Sequence, residues 1–192
     1  MEMRQIRLCE VAEIVTGIAE DKGCEGAFAY RCYQPNSFSE SGEISELPII
    51  TREERVSQRQ LVKEGDVLVK RLNPSFPLLV LSPHEASVVS SNLFILRAGQ
   101  SVIPIYLAFL FEQPNILAQG TQLSGANSAI KALSAKKLEN VTIPVVPLEK
   151  QEQIGKWWKI GKKRKKLLHE YINESDRLMA AVVDNIYKLM EE

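Results

Sequence analysis

The C-terminal quarter of the chain contains the pattern that decides the predicted fold. Residues 148–189 read LEKQEQIGKWWKIGKKRKKLLHEYINESDRLMAAVVDNIYKL. The stretch contains no proline, and Gly155 and Gly161 are its only glycines. Its apolar residues recur on two interleaved heptads, which a helix places on one face as the seam of a coiled coil. The seam consists of Ile154, Trp158, Leu168, Ile172, Met179, Val182, Ile186 and Leu189.

The predicted helix is longer than its own domain is wide. At 1.5 Å per residue it extends about 60 Å, roughly twice the width of a small domain. One domain cannot cover such a seam, so the pattern predicts a partner helix. Gly161, Lys165 and Ser175 occupy seam positions where a strong zipper carries Leu or Ile, and polar residues there can fix the register. The alternative is an amphipathic helix that folds back on its own domain.

The composition is that of an ordinary folded protein. The chain has 192 residues, of which 45% are hydrophobic. That length fits one globular domain with an appendage, or two small domains. The long helical pattern favours a globular domain over residues 1–147 followed by a helical region over residues 148–192. No apolar run reaches bilayer length and the first residues lack a signal-peptide core, so we expect a cytoplasmic protein. Cys9, Cys24 and Cys32 form no C-x-x-C pair and are expected to be reduced thiols.

Charge is balanced overall but unevenly distributed along the chain. Of the 24 basic and 24 acidic residues, 9 and 7 lie in residues 151–192, and the remaining 15 and 17 lie in residues 1–150. Seven basic residues fall between Lys156 and Lys166 without an acidic one. Such a cluster suits phosphates or an acidic protein. It equally suits the solvated face of a long helix.

The N-terminal region mixes strand and helix patterns, which predicts an α/β (α+β) domain. Strands are expected over residues 28–33, 47–50, 67–69, 78–81, 88–96 and 141–146. Residues 51–60 allow a short surface helix, and helices are expected over residues 8–15, 104–113 and 134–138. Thr51 and Glu54 have the spacing of a capping box, and Ser134 is a candidate cap for the last of these helices.

Catalytic signatures are sparse. His84 and His169 have no second His, Cys or acid at metal-ligand spacing and are expected to be surface residues. No nucleophile elbow, phosphate-binding loop or dinucleotide fingerprint is present. Glu20-Asp21-Lys22 has the acid-x-lysine form of metal-dependent nucleases, which leaves a small nuclease built on Glu20 and Lys22 as one hypothesis. The sequence predicts a protein that is not itself an enzyme.

Several loops are rich in groups that hydrogen-bond to nucleic acid. Arginine makes bidentate contacts to guanine, amides suit adenine, and hydroxyls suit phosphate oxygens. Surface loops in general consist of such residues, so the pattern alone leaves a loop without DNA contacts open. The residues that carry the pattern are Lys70, Arg71, Asn73, Ser90, Ser91, Asn92, Thr121, Gln122, Ser124, Asn127 and Ser128.

Two segments resemble the DNA-specificity subunit of type I restriction–modification systems. One is Leu61 with the strand Gly65-Asp66-Val67-Leu68-Val69, which is similar to that family's hydrophobic "GD" strand. The other is Ile130-x2-Leu133-Ser134-x3-Leu138-x2-Val141-x-Ile143-Pro144-x2-Pro147-Leu148-x2-Gln151-x2-Ile154. It resembles the family's passage from target recognition domain to conserved helix, and the long helix that follows is a third similarity.

The resemblance implies a non-catalytic, sequence-specific DNA reader. In that family a target recognition domain contacts one half of a bipartite site, and coiled-coil helices set the distance between the halves. The scaffold docks methyltransferase (modification) subunits that use S-adenosylmethionine and endonuclease/translocase subunits that use ATP, so no cofactor is expected in this chain. By position, the resemblance places Lys131 and the residues of the Gly120–Lys131 loop beside Lys70, Arg71 and Asn73 among the DNA-binding candidates.

Family members usually carry two recognition domains and two long helices, whereas this chain has one of each. Two copies that pair their helices antiparallel supply both halves. Such a homodimer is expected to place Ile154 and Trp158 near Ile186 and Leu189, with residues 168–175 at the axis. The competing arrangement is a fragment of a longer chain whose second half supplies the partner helix within one molecule. A coiled-coil scaffold protein without DNA binding is the rival hypothesis.

Overall fold

The chain folds into a mixed α and β domain from which one long helix extends. A computed structural model describes residues 3–19, 28–123 and 131–191. The strands are β1 (Arg4–Arg7), β2 (Ala12–Thr16), β3 (Phe28–Tyr33), β4 (Ile49–Arg52), β5 (Val67–Lys70), β6 (Leu78–Leu79), β7 (Ser87–Val89), β8 (Leu93–Ala98), β9 (Thr121–Leu123), β10 (Lys131–Leu133) and β11 (Thr142–Val145). The helices are α1 (Leu8–Val11), α2 (Pro104–Leu110), α3 (Pro114–Gly120), α4 (Ala135–Glu139) and α5 (Leu148–Glu191).

A four-stranded antiparallel sheet lies at the centre of the domain, in the order β2-β8-β5-β6. A second sheet, in the order β4-β3-β7, pairs β3 antiparallel to β4 and parallel to β7. Strands β1 and β11 form a separate antiparallel pair, and so do β9 and β10. The two ends of the domain sequence therefore meet directly before α5 begins.

Strand β5 is apolar throughout because both of its faces are covered. Val67 and Val69 pack into a core that helices α2, α3 and α4 complete, whereas Leu68 packs into the core on the other side. Side chains alternate between the faces of a strand, so a continuous apolar run is what a doubly covered strand requires. The run of residues 67–69 predicted this strand correctly.

Some predicted elements were wrong, because tertiary pairing overrode the local pattern. The helix expected over residues 8–15 ends at Val11, and residues 12–16 pair with β8 as a strand. Residues 51–60 contain no helix, since Thr51 and Arg52 continue β4. The strand expected over residues 88–96 is divided into β7 and β8 by a turn at Ser91 and Asn92. Helix α3 was not predicted.

Gly65 and Asp66 form a tight turn before β5, and Asp66 is one partner of a buried ion pair. Gly65 has φ +84°, a conformation that favours glycine. The carboxylate of Asp66 accepts hydrogen bonds from Nε and Nη2 of Arg97, each at 2.8 Å, and from the backbone N–H of Lys63 at 2.8 Å. Arg97 also donates to the carbonyl of Leu61 at 3.1 Å. The "GD" motif thus has a structural role on the strand β8 side of the sheet.

The first turns of α5 are fastened to the domain by a buried glutamine. Gln151 is fully buried; its Oε1 accepts from the N–H of Ile103 at 3.0 Å, and its Nε2 donates to the carbonyls of Ser101 and Val146 at 2.9 and 2.7 Å. Gly155 follows one turn later, where an added Cβ would lie 2.5 Å from Cγ2 of Ile105. These contacts fix the direction in which α5 leaves the domain.

The first two seam residues are covered by the chain's own domain, which corrects their predicted place in a coiled coil. Ile154 and Trp158 are half-buried and pack against the core beside α2. The indole N–H of Trp158 donates to the carboxylate of Glu112. Lys162 donates to the same carboxylate at 2.7 Å. The alternative of an amphipathic helix that packs on its own domain therefore holds for the N-terminal part of α5.

Two lysines of the basic cluster of α5 form ion pairs with a turn of the same chain. Residues 39–43, called the acidic turn below, form a tight turn closed by the bridge between Phe38 and Ile44. Lys165 contacts Glu40 at 2.8 Å, and Lys166 contacts Glu43 at 2.8 Å. Lys165 and Lys166 are thus explained by ion pairs within the chain, without a phosphate ligand or a purely solvated face. Lys156, Lys159 and Lys163 are exposed.

Between Leu168 and Ile186 the seam is exposed. The exposed fraction is 51% for Leu168 and 54% for Ile172, and it reaches 63% for Met179. The predicted seam is therefore confirmed as an apolar stripe in its second half, with Met179, Val182 and Ile186 also exposed. Among the described residues, no helix has both the length and the apolar composition that crossing a membrane requires.

Candidate nucleic-acid interface

Backbone hydrogen bonds join two segments that are distant in sequence at the end of β5. Leu72 bridges Ala132 of β10, and the carbonyl of Arg71 accepts from the N–H of Leu133 at 2.8 Å. The N–H of Asn73 donates to the carbonyl of Lys131 at 2.7 Å. Residues 71–73, which follow β5, are thus hydrogen-bonded to β10 of the β9–β10 hairpin through an isolated bridge. Residues 71–73, Asn92 and this hairpin are called the hairpin edge below.

The hairpin edge brings together four of the residues that the sequence pointed to. The N–H of Arg71 donates to the carbonyl of Asn92 at 2.8 Å. Asn73 has φ +44°, and its Oδ1 accepts from the N–H of Lys131 at 3.0 Å, although the two residues are 58 positions apart in sequence. The left-handed conformation suits asparagine better than most residues. Arg71, Asn73, Asn92 and Lys131 are therefore held on one side of the domain.

This edge presents positive charge to solvent. Arg71, Asn92 and Lys131 are all exposed. No ion pair joins Arg71 or Lys131 to any other residue in the part of the chain that the structure describes. An arginine and a lysine that form no ion pair with another described residue, next to exposed amides, are of the types suited to phosphate and base-edge contacts.

Lys70 lies away from the edge, contrary to its predicted pairing with Arg71. Successive residues of a strand point to opposite faces, so Lys70 enters the side of the sheet that contains the aromatic rings. Its Nζ lies 4.1 Å from the ring centroid of Phe76 and 5.0 Å from that of Phe38. Burial lowers the pKa of Lys70. Its ammonium is thus engaged in cation–π contacts within the domain.

The remaining candidates are divided between structural roles and residues that lie outside the described ranges. Thr121 is half-buried, and its hydroxyl donates to the carbonyl of Ala118 at 3.5 Å. Ser90 is buried rather than presented to a ligand. The backbone of Gln122 pairs with Ala132 in the hairpin. Ser124, Asn127 and Ser128 lie outside the described residues.

The described residues contain no group of three or more His, Cys, Asp or Glu side chains that could hold a metal ion. His84 and His169 are exposed, as predicted. Cys9 and Cys32 are free thiols, the first exposed and the second buried. The residues of the nuclease hypothesis, Glu20 and Lys22, lie outside the described ranges, as does Cys24.

Sequence reasoning missed the contacts that orient the site and the helix. Asp66 and Gln151 belong to the quoted motifs, but their partners Arg97 and Ser101 have no recognisable spacing from them. Asp66 directly before a fully apolar strand, and Gln151 in the first turn of a helix, were signals that a polar side chain is buried. A buried polar side chain requires hydrogen-bond partners, so both residues predicted contacts elsewhere in the chain. The acidic turn carried no signal beyond its own charges.

Comparison with known proteins finds structural similarity where sequence comparison finds none. No protein-family model matches the chain, and no curated protein matches it. A solved chain of a type I R-M system, from work on its complex assembly and conformational transition, aligns with a TM-score of 0.63 at 20% identity, over 86% of this chain and 40% of that chain. The HsdS subunit from Thermoanaerobacter tengcongensis aligns with a TM-score of 0.58 at 21% identity, over 85% of this chain and 38% of that one.

A third solved structure agrees with these two. The type I restriction–modification S subunit from M. genitalium aligns with a TM-score of 0.56 at 12% identity, over 88% of this chain and 41% of that chain. This chain therefore has the fold of type I specificity (S) subunits, with one globular domain and one long helix. It spans about two fifths of the length of each of the three chains.

Proposed function

We propose that this chain is a non-catalytic DNA-recognition unit of a type I restriction–modification system that reads one half of a bipartite site. The observation that carries the proposal is the specificity-subunit fold, found over 86% of the chain although the sequences are only 20% identical. The exposed hairpin edge supports it, because Arg71 and Lys131 form no ion pair there with any other described residue and lie beside Asn92. We assign DNA contact to this edge.

Substitution of the two exposed cations tests the DNA contact. A duplex that the purified protein binds is first selected from a random pool. The affinity for that duplex is then measured over a range of salt concentrations. We expect Arg71→Ala to cost about 1–3 kcal/mol if Arg71 contacts a guanine. Lys131→Ala should weaken all duplexes alike and reduce the salt slope by about 0.9, because one phosphate contact is lost.

Lys63→Ala is the matched control for these variants. Lys63 is exposed and precedes β5, whereas Arg71 follows it, so the two cations lie at opposite ends of the same strand. The control removes one positive charge without touching the hairpin edge. Equal losses of affinity in Lys63→Ala and Arg71→Ala would show that only net charge matters. Absence of salt-dependent duplex binding by the parent would instead favour a scaffold protein.

The proposed biological unit is a homodimer through α5. The exposed stripe from Leu168 to Ile186 is about 27 Å long at 1.5 Å per residue, too long to remain uncovered in a stable soluble protein. One domain reads one half-site, so an antiparallel pair of helices supplies two domains related by a two-fold axis. The DNA half-sites are then inverted repeats separated by a fixed spacer.

The proposed partners beyond the second copy are the modification subunits and the endonuclease/translocase subunit. S-adenosylmethionine and ATP would be bound by those subunits and not by this chain. Trp157 and Ile160 are candidates for such a contact, since their exposed fractions are 74% and 60% and they lie off the seam. We expect Trp157→Ser with Ile160→Ser to prevent co-purification with the modification subunit. The same variant should keep the DNA affinity of the parent, and loss of both properties together would contradict the assignment.

A further inference from the structure

The loop between β5 and β6 carries two residues of the hairpin edge, Arg71 and Asn73. Residues 71–75, called the edge loop below, are exposed apart from the half-buried Pro74. Lys70 precedes this loop and Phe76 follows it, and both are half-buried. An exposed loop buries little apolar surface of its own, so its shape depends on the groups at its base.

The register of β5 and β6 brings Lys70 and Phe76 together at this base. Leu68 pairs with Leu78 in antiparallel register. Continuing the register by two residues places Lys70 opposite Phe76, on the same face of the hairpin, because side chains alternate along a strand. The Nζ of Lys70 accordingly lies 4.1 Å from the ring centroid of Phe76. Phe76 packs against the core cluster that contains Leu68 and Leu78, so this cross-strand pair continues that cluster.

Two other segments fix the ring of Phe76. Phe38, which precedes the acidic turn, meets it edge-to-face, with the ring centroids 6.1 Å apart and the planes at 80°. Lys162 of α5 has its Nζ 5.9 Å from the Phe76 centroid. The same Nζ donates to the carboxylate of Glu112 at 2.7 Å and to the carbonyl of Glu40 at 2.8 Å. Movement of the ring away from Lys70 would therefore break contacts with both the domain and α5.

Backbone hydrogen bonds hold only the first part of the edge loop. The N–H groups of Arg71 and Asn73 donate to the carbonyls of Asn92 and Lys131. No backbone hydrogen bond joins residues 74–76 to another residue within the described ranges. The contact between Lys70 and Phe76 closes the loop on this second side, where the backbone gives it no support.

We propose that Lys70 and Phe76 are positioning residues for DNA recognition. Their cation–π contact closes the base of the edge loop and thereby holds Arg71 and Asn73 in the conformation that meets DNA. This inference rests on the DNA contact proposed for the hairpin edge. It gives Lys70 a role in recognition that acts through Phe76, in place of the direct DNA contact that the sequence predicted.

The positive charge of Lys70 is what makes this contact specific. Lys70 forms no ion pair with another described residue, and its ammonium lies over the rings of Phe38 and Phe76. The negative face of an aromatic ring attracts a cation, whereas an uncharged side chain of the same length lacks this attraction. Because successive residues point to opposite faces, fixing Lys70 on the aromatic side also fixes Arg71 on the other. A loop that samples other conformations binds more weakly, in proportion to the fraction that remains competent.

Variants of Lys70 and Phe76 in the full-length chain test the proposal on the selected duplex. Lys70→Met keeps the length and the apolar stem of the side chain but removes its charge. We expect its affinity to fall about tenfold, as the loss of a partly buried cation–π contact implies. The salt slope should stay that of the parent, because no phosphate contact is lost. Phe76→Leu should reproduce the loss, whereas Lys70→Arg keeps a cation at the ring and should retain the parent affinity.

Double-mutant cycles separate positioning from general destabilisation. Lys70→Met combined with Phe76→Leu should lose no more affinity than Phe76→Leu alone, because both changes break the same contact. In the Arg71→Ala background, Lys70→Met should lose less affinity than in the parent, since one of the groups that it positions is gone. Val88→Ala is the stability control: it leaves a cavity in a separate core cluster and should lower Tm while keeping the DNA affinity of the folded protein. Thermal unfolding of each variant verifies that it is folded at the temperature of the binding assay.

The possible failures are distinguishable. A salt slope reduced by about 0.9 in Lys70→Met would show that Lys70 itself contacts a phosphate and would overturn the positioning role. Unchanged affinity in Lys70→Met and Phe76→Leu, or equal losses in Lys70→Met and Lys70→Arg, would overturn it as well. If Arg71→Ala weakens binding and Lys70→Met adds its full loss to that variant, the DNA contact stands and only the positioning role is rejected. If Arg71→Ala keeps the parent affinity, the DNA contact assigned to Arg71 is itself wrong, and the inference that rests on it is rejected too.

Discussion

The buried ion pair of Asp66 and Arg97 leads to a quantitative prediction about stability. The exposed fraction of the side chain is 1% for Asp66 and 19% for Arg97. Their bidentate contact raises the pKa of Arg97, chiefly through the hydrogen bond to Asp66. Asp66→Ala removes the carboxylate and leaves a largely buried guanidinium, and also leaves the N–H of Lys63 without its acceptor. The variant should therefore be strongly destabilised.

The expected cost can be estimated from the surroundings of Arg97. Removing one partner of a buried pair costs about 3–5 kcal/mol, mainly because the other charge stays buried. Arg97 keeps its hydrogen bonds to the carbonyls of Leu61 and Arg59 and is about one fifth exposed, which places the cost near the lower limit. We expect a loss of about 3 kcal/mol in the free energy of unfolding. For a chain of this size, that corresponds to a fall in Tm of about 6–12 °C.

Urea unfolding of parent and variant at the same protein concentration measures this loss, because any contribution from dimer dissociation is then the same for both. Glu13→Ala is the control, because Glu13 contacts Arg97 at 3.4 Å through a more exposed carboxylate and should cost about 0–1 kcal/mol. Combining Asp66→Ala with Arg97→Ala should cost less than the sum of the single losses, because the two residues interact directly. A loss below about 1 kcal/mol for Asp66→Ala would refute the reasoning, since it would mean that the unpaired guanidinium reaches solvent at little cost.

Two further predictions concern the attachment of α5. Gly155→Ala should destabilise the protein, because the added Cβ would lie 2.5 Å from Ile105. Gly161 has open space around it, so Gly161→Ala should stabilise α5 by about 0.5–1 kcal/mol. A shift of Tm in the same direction for both variants would contradict this prediction. The hydrogen bond and charge of Lys165 lower the pKa of Glu40. The contact therefore stabilises the acidic turn fully at pH values above 4.5, the ordinary carboxyl pKa. The stabilisation is lost as the pH falls through the lowered pKa. Carboxyl NMR titration should give a midpoint below 4.5 for Glu40, and Lys165→Met should return it towards 4.5; identical midpoints would exclude the ion pair.

Local patterns were sufficient for the elements that the sequence predicted correctly. The helix α5 begins at Leu148 as expected, because a heptad repeat without proline specifies a helix wherever it occurs. The strand at residues 67–69 was equally clear from its continuous apolar run. Ser134 caps α4 as predicted, its hydroxyl accepting from the N–H of Lys137. Each of these features depends on residues within a few positions of one another.

The candidate site and the free length of the seam were decided by tertiary structure. Arg71 and Lys131 meet because backbone groups of residues 71–73 pair with a hairpin 58 positions further along the chain, and backbone pairing leaves no mark on side-chain identity. Lys70 is separated from Arg71 by the pleat of the strand. Nothing in the heptad pattern distinguishes Ile154, which the domain covers, from Ile172, which it leaves exposed. Periodicity fixes which face of a helix is apolar, whereas the packing of the domain against that face decides how much of it remains for a partner.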